Sequence, residues 1–522
     1  MSSLWIETTK KIGKSKPINK NYKVDVCIIG AGICGLTTAY YLAKNGTKVI
    51  VVDKEKIGAK VSGNTTAKIT LQHNLIYNYL IEEFDEDFAL GYYESNREAI
   101  SNIKSIIDEE KIDCDFEYVP NYVYTTQIED FDKIQKEVEA INRLEHKRST
   151  HDVAEFVKET ELPFKIAAGI KLENQAQFHP RKYMFGLVKA IEKYGGLIFT
   201  NSLVTDVKRE ADVYVTYVGE NENLDDDMNY SKKSEEQEYR INSKHVVLAS
   251  HYPFINFPGM YFSKMYQVTS YAIALETENN LIEGMYISSN EPTLSFRTAQ
   301  YGDKQLLIMA GGNHKTGFSP NSEDFYGYKF LEKKAKELFP NSKILYKWNT
   351  RDCITLDKIP YIGEFSYFKI NMWVATGFNK WGMTTSNVAA NIISDGILEK
   401  ENKYAKIYDS TRMKPIKNKE EIMNMAEQTV KSFIANRIKI PKEDLFAIKN
   451  DNGGIIRIDG NSVGIYKDSK GEIYTVNPTC THLGCLLTWN NVDKTWDCPC
   501  HGSRFDYTGK NIYEPAIKNL GH

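Results

Sequence analysis

The chain has 522 residues, of which 42% are hydrophobic and 26% are charged, values ordinary for globular proteins. This length exceeds what one hydrophobic core usually supports, so two or three domains are expected. A formal net charge of -3 gives no general electrostatic basis for binding nucleic acid. Because no apolar run approaches the roughly 18 residues of a membrane-spanning helix, we expect a cytoplasmic protein with no integral membrane segment.

The first pattern in chain order is a glycine-rich turn between two apolar segments. Residues 24–29 predict a buried strand, residues 30–35 a tight turn, and residues 36–45 a helix. A second apolar strand, 48–52, ends in Asp53. Strand, glycine turn, helix, strand and acid in this order are typical of a dinucleotide-binding site. At this point the dinucleotide could be a flavin or a nicotinamide.

Each glycine of the turn has an expected role. Gly30 permits the tight turn, Gly32 lets a pyrophosphate approach the backbone, and Gly35 allows the helix to pack closely. The N-terminus of the helix stabilises negative charge. Asp53 is expected to hold a hydroxyl of the adenosine ribose.

Segments further along the chain favour FAD. They resemble, in order, segments of the D-amino-acid oxidase superfamily of FAD-dependent oxidoreductases, and they are residues 62–70, 179–181, 246–250, 375–377 and 381–384. The resemblance spans roughly residues 20–400. In that family the last segment enters a helix that faces the flavin ring. The resemblance implies that further residues contact FAD, namely Thr65, Thr66, Ala67, Gly377, Gly382, Met383 and Thr384.

The same resemblance and the composition give an expected domain organisation. The predicted fold is α/β (α+β), with an FAD-binding Rossmann-like domain, an interleaved substrate/cap domain and a C-terminal all-β domain. The ranges are 20–75, 165–252 and 350–400 for FAD binding, 76–164 and 253–349 for the substrate/cap domain, 401–440 for a helical connector and 441–522 for the C-terminal domain. Residues 76–164 carry charged helical patterns, and a helix is predicted from Lys419 to Ala435.

Two short segments of the C-terminal domain, 480–485 and 498–503, each pair a cysteine with a histidine, and they predict that residues 441–522 form an all-β Rieske domain. Fifteen residues separate His482 from Cys498, which is enough for a strand excursion that brings the segments together. In a Rieske [2Fe-2S] centre two cysteines hold one iron and two histidines the other. The proposed ligands are Cys480, His482, Cys498 and His501. A structural zinc site is the alternative, because two cysteines and two histidines can also bind zinc.

Three further residues favour the cluster over zinc. Cys485 and Cys500 add one cysteine to each segment, which a zinc site does not require, and Ser503 can donate a hydrogen bond to a cluster sulfide. The segments resemble Rieske proteins of the cytochrome bc type, which implies a disulfide between Cys485 and Cys500. Where those proteins often have a tyrosine, this chain has Phe505, so we expect a lower cluster potential. Pro515 fits either a loop covering the cluster or an ordinary turn.

The whole chain resembles a group of bacterial flavoproteins that carry a C-terminal Rieske domain. This resemblance implies a dehydrogenase that oxidises an amine, an amino acid or an N-methylated small molecule. Electrons would pass singly between FAD and the cluster and leave to an external electron carrier. Two alternatives remain open. One is a reductase that runs in the opposite direction, and the other is a non-enzymatic redox sensor that uses the cluster and the Cys485/Cys500 pair.

Candidate catalytic residues are His73, Arg297 and Lys380. His73 could be a base, a flavin contact or a structural histidine. Arg297 could bind a substrate carboxylate through two hydrogen bonds or form a structural ion pair. Lys380, together with Lys68, could stabilise an anionic reduced flavin, although Lys380 fits an exposed loop equally well.

Overall fold

The computed structural model describes residues 2–9, 16–148, 153–220, 238–277, 282–317, 327–412, 448–458 and 460–521. The predicted connector helix from Lys419 to Ala435 lies outside these residues. Within the described part, the α-helices are α1 Leu4–Thr8, α2 Ile33–Lys44, α3 Tyr77–Glu83, α4 Glu86–Glu109, α5 Phe131–Arg148, α6 Pro180–Lys193, α7 Gly327–Leu338 and α8 Gly382–Ile397.

The strands fall into two large and two small sheets. In chain order they are β1 Tyr22–Ile29, β2 Val49–Val52, β3 Lys68–Ile69, β4 Glu117–Thr125, β5 Glu155–Val157, β6 Ala168–Gln177, β7 Leu197–Phe199, β8 Ser202–Glu210, β9 Val213–Glu220, β10 Tyr239–Leu248, β11 Met265–Glu276, β12 Met285–Ser288, β13 Leu294–Tyr301, β14 Lys304–Lys315, β15 Lys343–Thr355, β16 Tyr361–Glu364, β17 Met372–Thr376, β18 Asn452–Ile458, β19 Asn461–Lys467, β20 Ile473–Val476, β21 Thr488–Asn490, β22 Thr495–Asp497, β23 Arg504–Asp506 and β24 Asn511–Tyr513.

The first large sheet has the strand order β16-β17-β10-β1-β2-β7, with β8 and β9 attached through β10. Strands β17, β10, β1, β2 and β7 run parallel, and Ile29 aligns with both Val52 and Leu248. The residues that follow these three positions therefore meet at one edge of the sheet. This edge is where ligands bind in open parallel sheets.

The second large sheet has the order β15-β11-β14-β13-β12-β4-β6-β3, with β5 paired to β6. Its longest strands, β11, β14 and β15, are antiparallel neighbours. On the face covered by helix α7, the buried residues of this sheet include Tyr122, Ile273 and Phe296, all at most 9% exposed. The opposite face carries Ser270, Ser295 and Ala310, which line part of the cavity described below.

The C-terminal region consists of two small antiparallel sheets, β18-β19-β20 and β21-β22-β23-β24. A separate apolar core holds it together, and this core includes Trp496, Phe505 and Ala516. The predicted class, an FAD-binding α/β fold with a substrate domain and a β-rich C-terminal region, is confirmed. No helix in the described ranges is long and apolar enough to cross a membrane.

Sheet membership and the predicted ranges differ at three strands. Strands β3 and β6 lie in ranges assigned to FAD binding, yet both belong to the second large sheet, and β15 crosses the predicted domain limit at residue 350.

Within 76–164, β4 is a strand in a stretch whose charge pattern predicts helices. Pairing with β6 and β12 stabilises β4, and such long-range pairing leaves no local pattern. The domain limits stay a prediction.

Candidate functional site

The glycine turn lies at the shared edge of the first large sheet. Gly30 has a φ of +117°, and a Cβ there would lie 2.4 Å from the carbonyl oxygen of Ala249. Gly32 caps helix α2, and a Cβ there would lie 3.0 Å from Ser62 Oγ. Gly35 packs so closely that its Cβ would meet Gly30 O at 2.0 Å. The turn therefore forms a cradle of bare backbone at a helix N-terminus, which suits a pyrophosphate.

Asp53 follows strand β2 and lies beside this turn. Its carboxylate accepts hydrogen bonds from the backbone N–H groups of Ala31 at 2.7 Å and Glu55 at 2.8 Å. Burial raises the pKa of Asp53 to about 6, although both backbone bonds act in the opposite direction. Asp53 also lines the cavity, and its contact with a ribose hydroxyl stays a prediction.

One large cavity extends from the turn to the second sheet. Seven of the predicted FAD contacts line it, namely Gly30, Gly32, Asp53, Thr65, Thr66, Gly382 and Met383. The other four pack behind its wall and are Gly35, Ala67, Gly377 and Thr384. Ala67 and Gly377 have φ values of +58° and +72°, so they shape the two loops whose neighbours reach the cavity.

His73 is placed away from the cavity. It is 4% exposed, Nδ1 lies 2.7 Å from the hydroxyl of Tyr92, and Nε2 lies 3.1 Å from Thr384 Oγ1. Its ring stacks on Trp381, and burial lowers its pKa to about 3. His73 therefore joins the segment around residue 70 to the start of helix α8, while Trp381 lies between it and the cavity side.

Arg297 is also a packing residue in this structure. It is 3% exposed, Nε donates to Thr298 O, and Nη1 donates to the carbonyl oxygens of Thr66 and Ala67 at 2.9 and 2.8 Å. Its guanidinium also lies over the ring of Trp5. These contacts hold the predicted flavin loop from behind. Arg297 is not among the residues that line the cavity.

Lys380 and Lys68 do line the cavity. Lys68 Nζ bonds to the carbonyl oxygen of Tyr286 at 2.5 Å and to the Ser295 hydroxyl, and burial and nearby Arg297 hold its pKa well below the usual value. The side chain of Lys380 is exposed where it lines the cavity, so its position also agrees with the exposed loop that the sequence allowed. Desolvation by the surrounding residues lowers the pKa of Lys380, whereas the charge of Asp352 opposes the shift. Asp352 lines the same cavity, and burial raises its pKa to about 6. No local pattern marks this carboxylate in the sequence.

The two cysteine-histidine segments meet in one buried cluster of side chains. The Cys498 thiol acts as donor to the Cys480 sulfur, which lowers the pKa of Cys480 and raises that of Cys498. The rings of His482 and His501 lie 5.0 Å apart. Cys485 and Cys500 form a disulfide, so the predicted disulfide is confirmed. Their sulfurs lie close to Cys498, but a bonded pair leaves no metal site there.

The donor atoms fit a Rieske cluster. Nδ1 of His482 and Nδ1 of His501 are both buried and have no hydrogen-bond partner among the described residues, which is costly unless another group binds them. His482 Nε2 lies 2.7 Å from the amide oxygen of Asn256, an acceptor, so Nε2 carries the proton and Nδ1 is free to bind iron. Ser503 Oγ accepts from Ala516 N at 3.0 Å, which packs the Pro515 loop against the cluster segments.

The C-terminal domain also forms part of the cavity wall. Tyr513, Glu514 and Ile517 line the same cavity as the glycine turn. Glu514 lies 2.5 Å from Lys54 Nζ, and Lys60 bonds to the carbonyl oxygen of Ile512. Sequence reasoning missed this wall, because it is formed by side chains more than 450 residues from Lys54.

Further contacts hold the two domains together on either side of this wall. The guanidinium of Arg351 lies 4.1 Å from the centre of the Tyr513 ring, and Asn349 donates to Asp493 at 2.8 Å. A Cβ on Gly317 would lie 2.4 Å from the Cα of Pro499, within the second cluster segment. The interface is thus close-packed beside both the cavity and the cluster.

Known proteins and families resemble both regions. The family description "FAD dependent oxidoreductase" (DAO) matches residues 25–395, and "Rieske [2Fe-2S] domain" matches residues 441–522. YhfW of Bacillus subtilis (strain 168), named as a Rieske 2Fe-2S iron-sulfur protein, is 34% identical over 515 residues, which cover 98% of this chain and 96% of YhfW.

Two solved structures share the fold of the larger region. Glycine oxidase from Geobacillus kaustophilus is 17% identical with a TM-score of 0.59, and the match covers 76% of this chain and 100% of the oxidase chain. L-proline dehydrogenase from P. horikoshii is 18% identical with a TM-score of 0.57, and the match covers 75% of this chain and 98% of the dehydrogenase chain. The two matching families imply FAD and a [2Fe-2S] cluster. The chain belongs to the FAD dependent oxidoreductase (DAO) family and carries a C-terminal Rieske domain.

Proposed function

We propose that this protein is a dehydrogenase that oxidises an amine, an amino acid or an N-methylated small molecule and passes the electrons through its Rieske domain to an external carrier. One observation carries the proposal. Rieske residues Tyr513, Glu514 and Ile517 line the cavity that contains the glycine turn and Asp53. A docked cluster can exchange electrons with the flavin site without diffusing to it.

The chemistry fits two carriers of different capacity. Oxidation of an amine to an imine releases two electrons and two protons. Bound FAD supplies a two-electron acceptor, and a Rieske cluster supplies a one-electron carrier, so each substrate molecule requires two transfers through the Rieske domain. The external carrier therefore takes one electron at a time, in keeping with a dehydrogenase.

The chain's own residues can prepare such a substrate. Asp352 and Lys380 line the cavity on the side of the second large sheet, and Ser270 Oγ lies 3.5 Å from the Asp352 carboxylate. An amine reacts as the neutral base, so a carboxylate with a pKa of about 6 is suited to accept its proton near neutral pH. Lys380 would orient a negatively charged group of the substrate. Arg297, held by backbone carbonyls, is left out of this role.

The substrate class is extended from the fold relatives. Glycine oxidase and L-proline dehydrogenase are named for amino acids, and both share only the fold with this chain. The polar lining of Ser270, Asn313 and Asp352 suits a small polar substrate of this kind.

An anaerobic screen tests the proposal. Holoenzyme is mixed with single amines, amino acids and N-methylated compounds while flavin absorbance is followed, and samples are frozen for electron paramagnetic resonance. We expect one class to bleach the flavin and to produce the signal of a reduced Rieske cluster. Asp352→Asn should slow bleaching and remove a step near pH 6 from its pH profile. Absence of bleaching with every compound would refute the proposal, and cluster reduction by an outside donor alone would favour the reverse direction.

A further inference from the structure

One segment of the flavoprotein domain reaches from the cavity to a proposed ligand of the cluster. This bridge segment, residues 250–262, follows strand β10. His251 and Phe254, near its start, line the cavity. Further along, the amide oxygen of Asn256 lies 2.7 Å from Nε2 of His482, in the Rieske domain. The bridge segment therefore connects the cavity to the outer nitrogen of a histidine whose other nitrogen is expected to bind iron.

The backbone around Asn256 is held in place on the cluster side of the segment. Its carbonyl oxygen accepts a hydrogen bond from Met260 N at 2.8 Å, which closes the loop 256–260. Two residues beyond that loop, the ring of Phe262 lies 5.7 Å from the ring of His501, at an angle of 80°. The bridge segment thus contacts both proposed histidine ligands, one through a hydrogen bond and the other through an aromatic ring.

Other residues of the flavoprotein domain pack against the same end of the Rieske domain. A Cβ on Gly502 would lie 2.6 Å from Cδ of Gln267, and Gln267 Nε2 donates to Glu514 O at 3.2 Å. Thr488 Oγ1 donates to the carbonyl oxygen of Gly317 at 2.8 Å. The bond between the amide and the imidazole therefore lies within a packed interface and is not an isolated surface contact.

The binding mode of the histidine fixes the direction of this hydrogen bond. His482 Nδ1 is buried and has no hydrogen-bond partner among the described residues, so it is the nitrogen available to iron. Nε2 then keeps the ring proton and donates it, and Asn256 accepts through its amide oxygen. An acceptor at the outer nitrogen of a metal-bound histidine fixes the orientation of the ring and makes the ring a more basic ligand.

We propose that Asn256 is a positioning residue for the cluster, which orients His482 through the Nε2 proton and lowers the reduction potential of the docked cluster. A more basic imidazole stabilises oxidised iron, so this hydrogen bond opposes reduction. The effect adds to the lower potential that Phe505 predicts. Because Asn256 belongs to the flavoprotein domain, the potential depends on the interface between the domains as well as on the Rieske fold.

Two substitutions in the full-length holoenzyme should move this potential in opposite directions. Asn256→Leu keeps the size of the side chain and removes the acceptor, whereas Asn256→Asp supplies a charged acceptor. The protein is titrated anaerobically with mediators and without substrate, and the reduced cluster is read by electron paramagnetic resonance. We expect the one-electron equilibrium to shift about threefold toward the reduced cluster in Asn256→Leu, about 28 mV, and about tenfold toward the oxidised cluster in Asn256→Asp, about 59 mV. An unchanged or lowered potential in Asn256→Leu would overturn the proposal.

A spectroscopic measurement separates the hydrogen bond from a general effect of charge or packing. Pulsed electron paramagnetic resonance of the reduced cluster detects the outer nitrogens of its histidine ligands, whose quadrupole couplings depend on their hydrogen bonds. We expect the coupling of one histidine to change in Asn256→Leu, while the other keeps its wild-type value. If neither coupling changes, Asn256 does not bond to a ligand and the proposal is wrong.

Asn349→Leu is the matched control for loss of an interface contact. Asn349 Nδ2 also donates across the interface, but its acceptor is Asp493 Oδ1, at 2.8 Å, and not a proposed ligand. This variant should leave the cluster potential and both couplings unchanged, and a shift equal to that of Asn256→Leu would count against the proposal. If Asn256→Leu loses its cluster, Asn256→Asp is titrated alone, and a potential equal to or above that of the wild type overturns the proposal.

Discussion

The cavity has two walls that differ in how they are made. The wall at the glycine turn is mainly backbone of residues 30–34, with Asp53 nearby in the same short stretch of chain. The opposite wall is formed by side chains of the Rieske domain, Tyr513, Glu514 and Ile517. At the backbone wall, hardly any atoms can be added without a clash. At the side-chain wall, contacts such as the ion pair can be removed one at a time. The two walls should therefore respond differently to substitution.

The largest effect is expected at the backbone wall, in Gly30→Ala. The added Cβ would lie 2.4 Å from a carbonyl oxygen, and the φ of +117° is strained for alanine. We expect less than one tenth of the wild-type flavin content and a loss of about 3 kcal/mol in the free energy of unfolding. Flavin is measured by absorbance after purification, and stability by denaturant titration.

Gly46→Ala is the matched control, because Gly46 has a φ of +81° but no atom within 4 Å of an added Cβ. It should cost about 1 kcal/mol through backbone strain alone and retain its flavin. Full flavin content in Gly30→Ala would show that the turn does not hold the cofactor closely.

An intermediate effect is expected from Arg297→Lys, which acts on the backbone wall from behind. A lysine cannot replace donors to Thr66 O, Ala67 O and Thr298 O at once. We expect the free energy of unfolding to fall by about 2–3 kcal/mol. Arg143→Lys, at an ion pair with Glu86 whose arginine side chain is 63% exposed, should leave the free energy of unfolding nearly unchanged. A raised KM with unchanged stability would instead mean that Arg297 binds a substrate carboxylate.

The smallest of the three effects is expected at the Rieske wall, in Glu514→Gln. Lys54 and Glu514 have side chains 15% and 16% exposed, so part of their attraction is lost to solvent. We expect flavin to bind roughly tenfold more weakly, about 1.4 kcal/mol, as measured by release of flavin fluorescence on dilution. Glu109→Gln, which breaks the more exposed pair with Lys44, should not change flavin binding.

The pH dependence of the same wall gives a second test. Burial acts to raise the pKa of Glu514, but the charges of Lys54 and Lys60 outweigh it and hold the pKa below 4.5. A carboxyl with a lowered pKa stabilises the folded state above the pKa of the unfolded chain, and this contribution is lost as the pH falls through the folded pKa. The difference in the free energy of unfolding between wild type and Glu514→Gln, measured by denaturant titration, should therefore become smaller below about pH 4.5. If this difference stays constant with pH, the charge of the carboxylate is not its cause.

Local patterns predicted the parts of the molecule that are continuous in sequence. Helix α2 lies within three residues of its expected bounds, and Asp53 follows strand β2 as expected. The Cys485–Cys500 disulfide was implied by the resemblance of its two segments. Strand β4 was not predicted, because its neighbours in the sheet are distant in sequence. The direction of Arg297 depends on which carbonyls are nearest, and the position of Asp352 at the cavity depends on the pairing of β15 with β11, so neither leaves a local pattern in the sequence.

The Rieske wall has a consequence for how the protein matures. Because Tyr513, Glu514 and Ile517 close one side of the cavity, a fully docked C-terminal domain narrows the route by which a dinucleotide enters. We expect flavin loading and docking of the iron-sulfur domain to be ordered events, with the flavin entering first or the domain opening to admit it. Separate expression of the two halves should then give a flavoprotein with an open cavity, and the covalent fusion would contribute to retention of the cofactor.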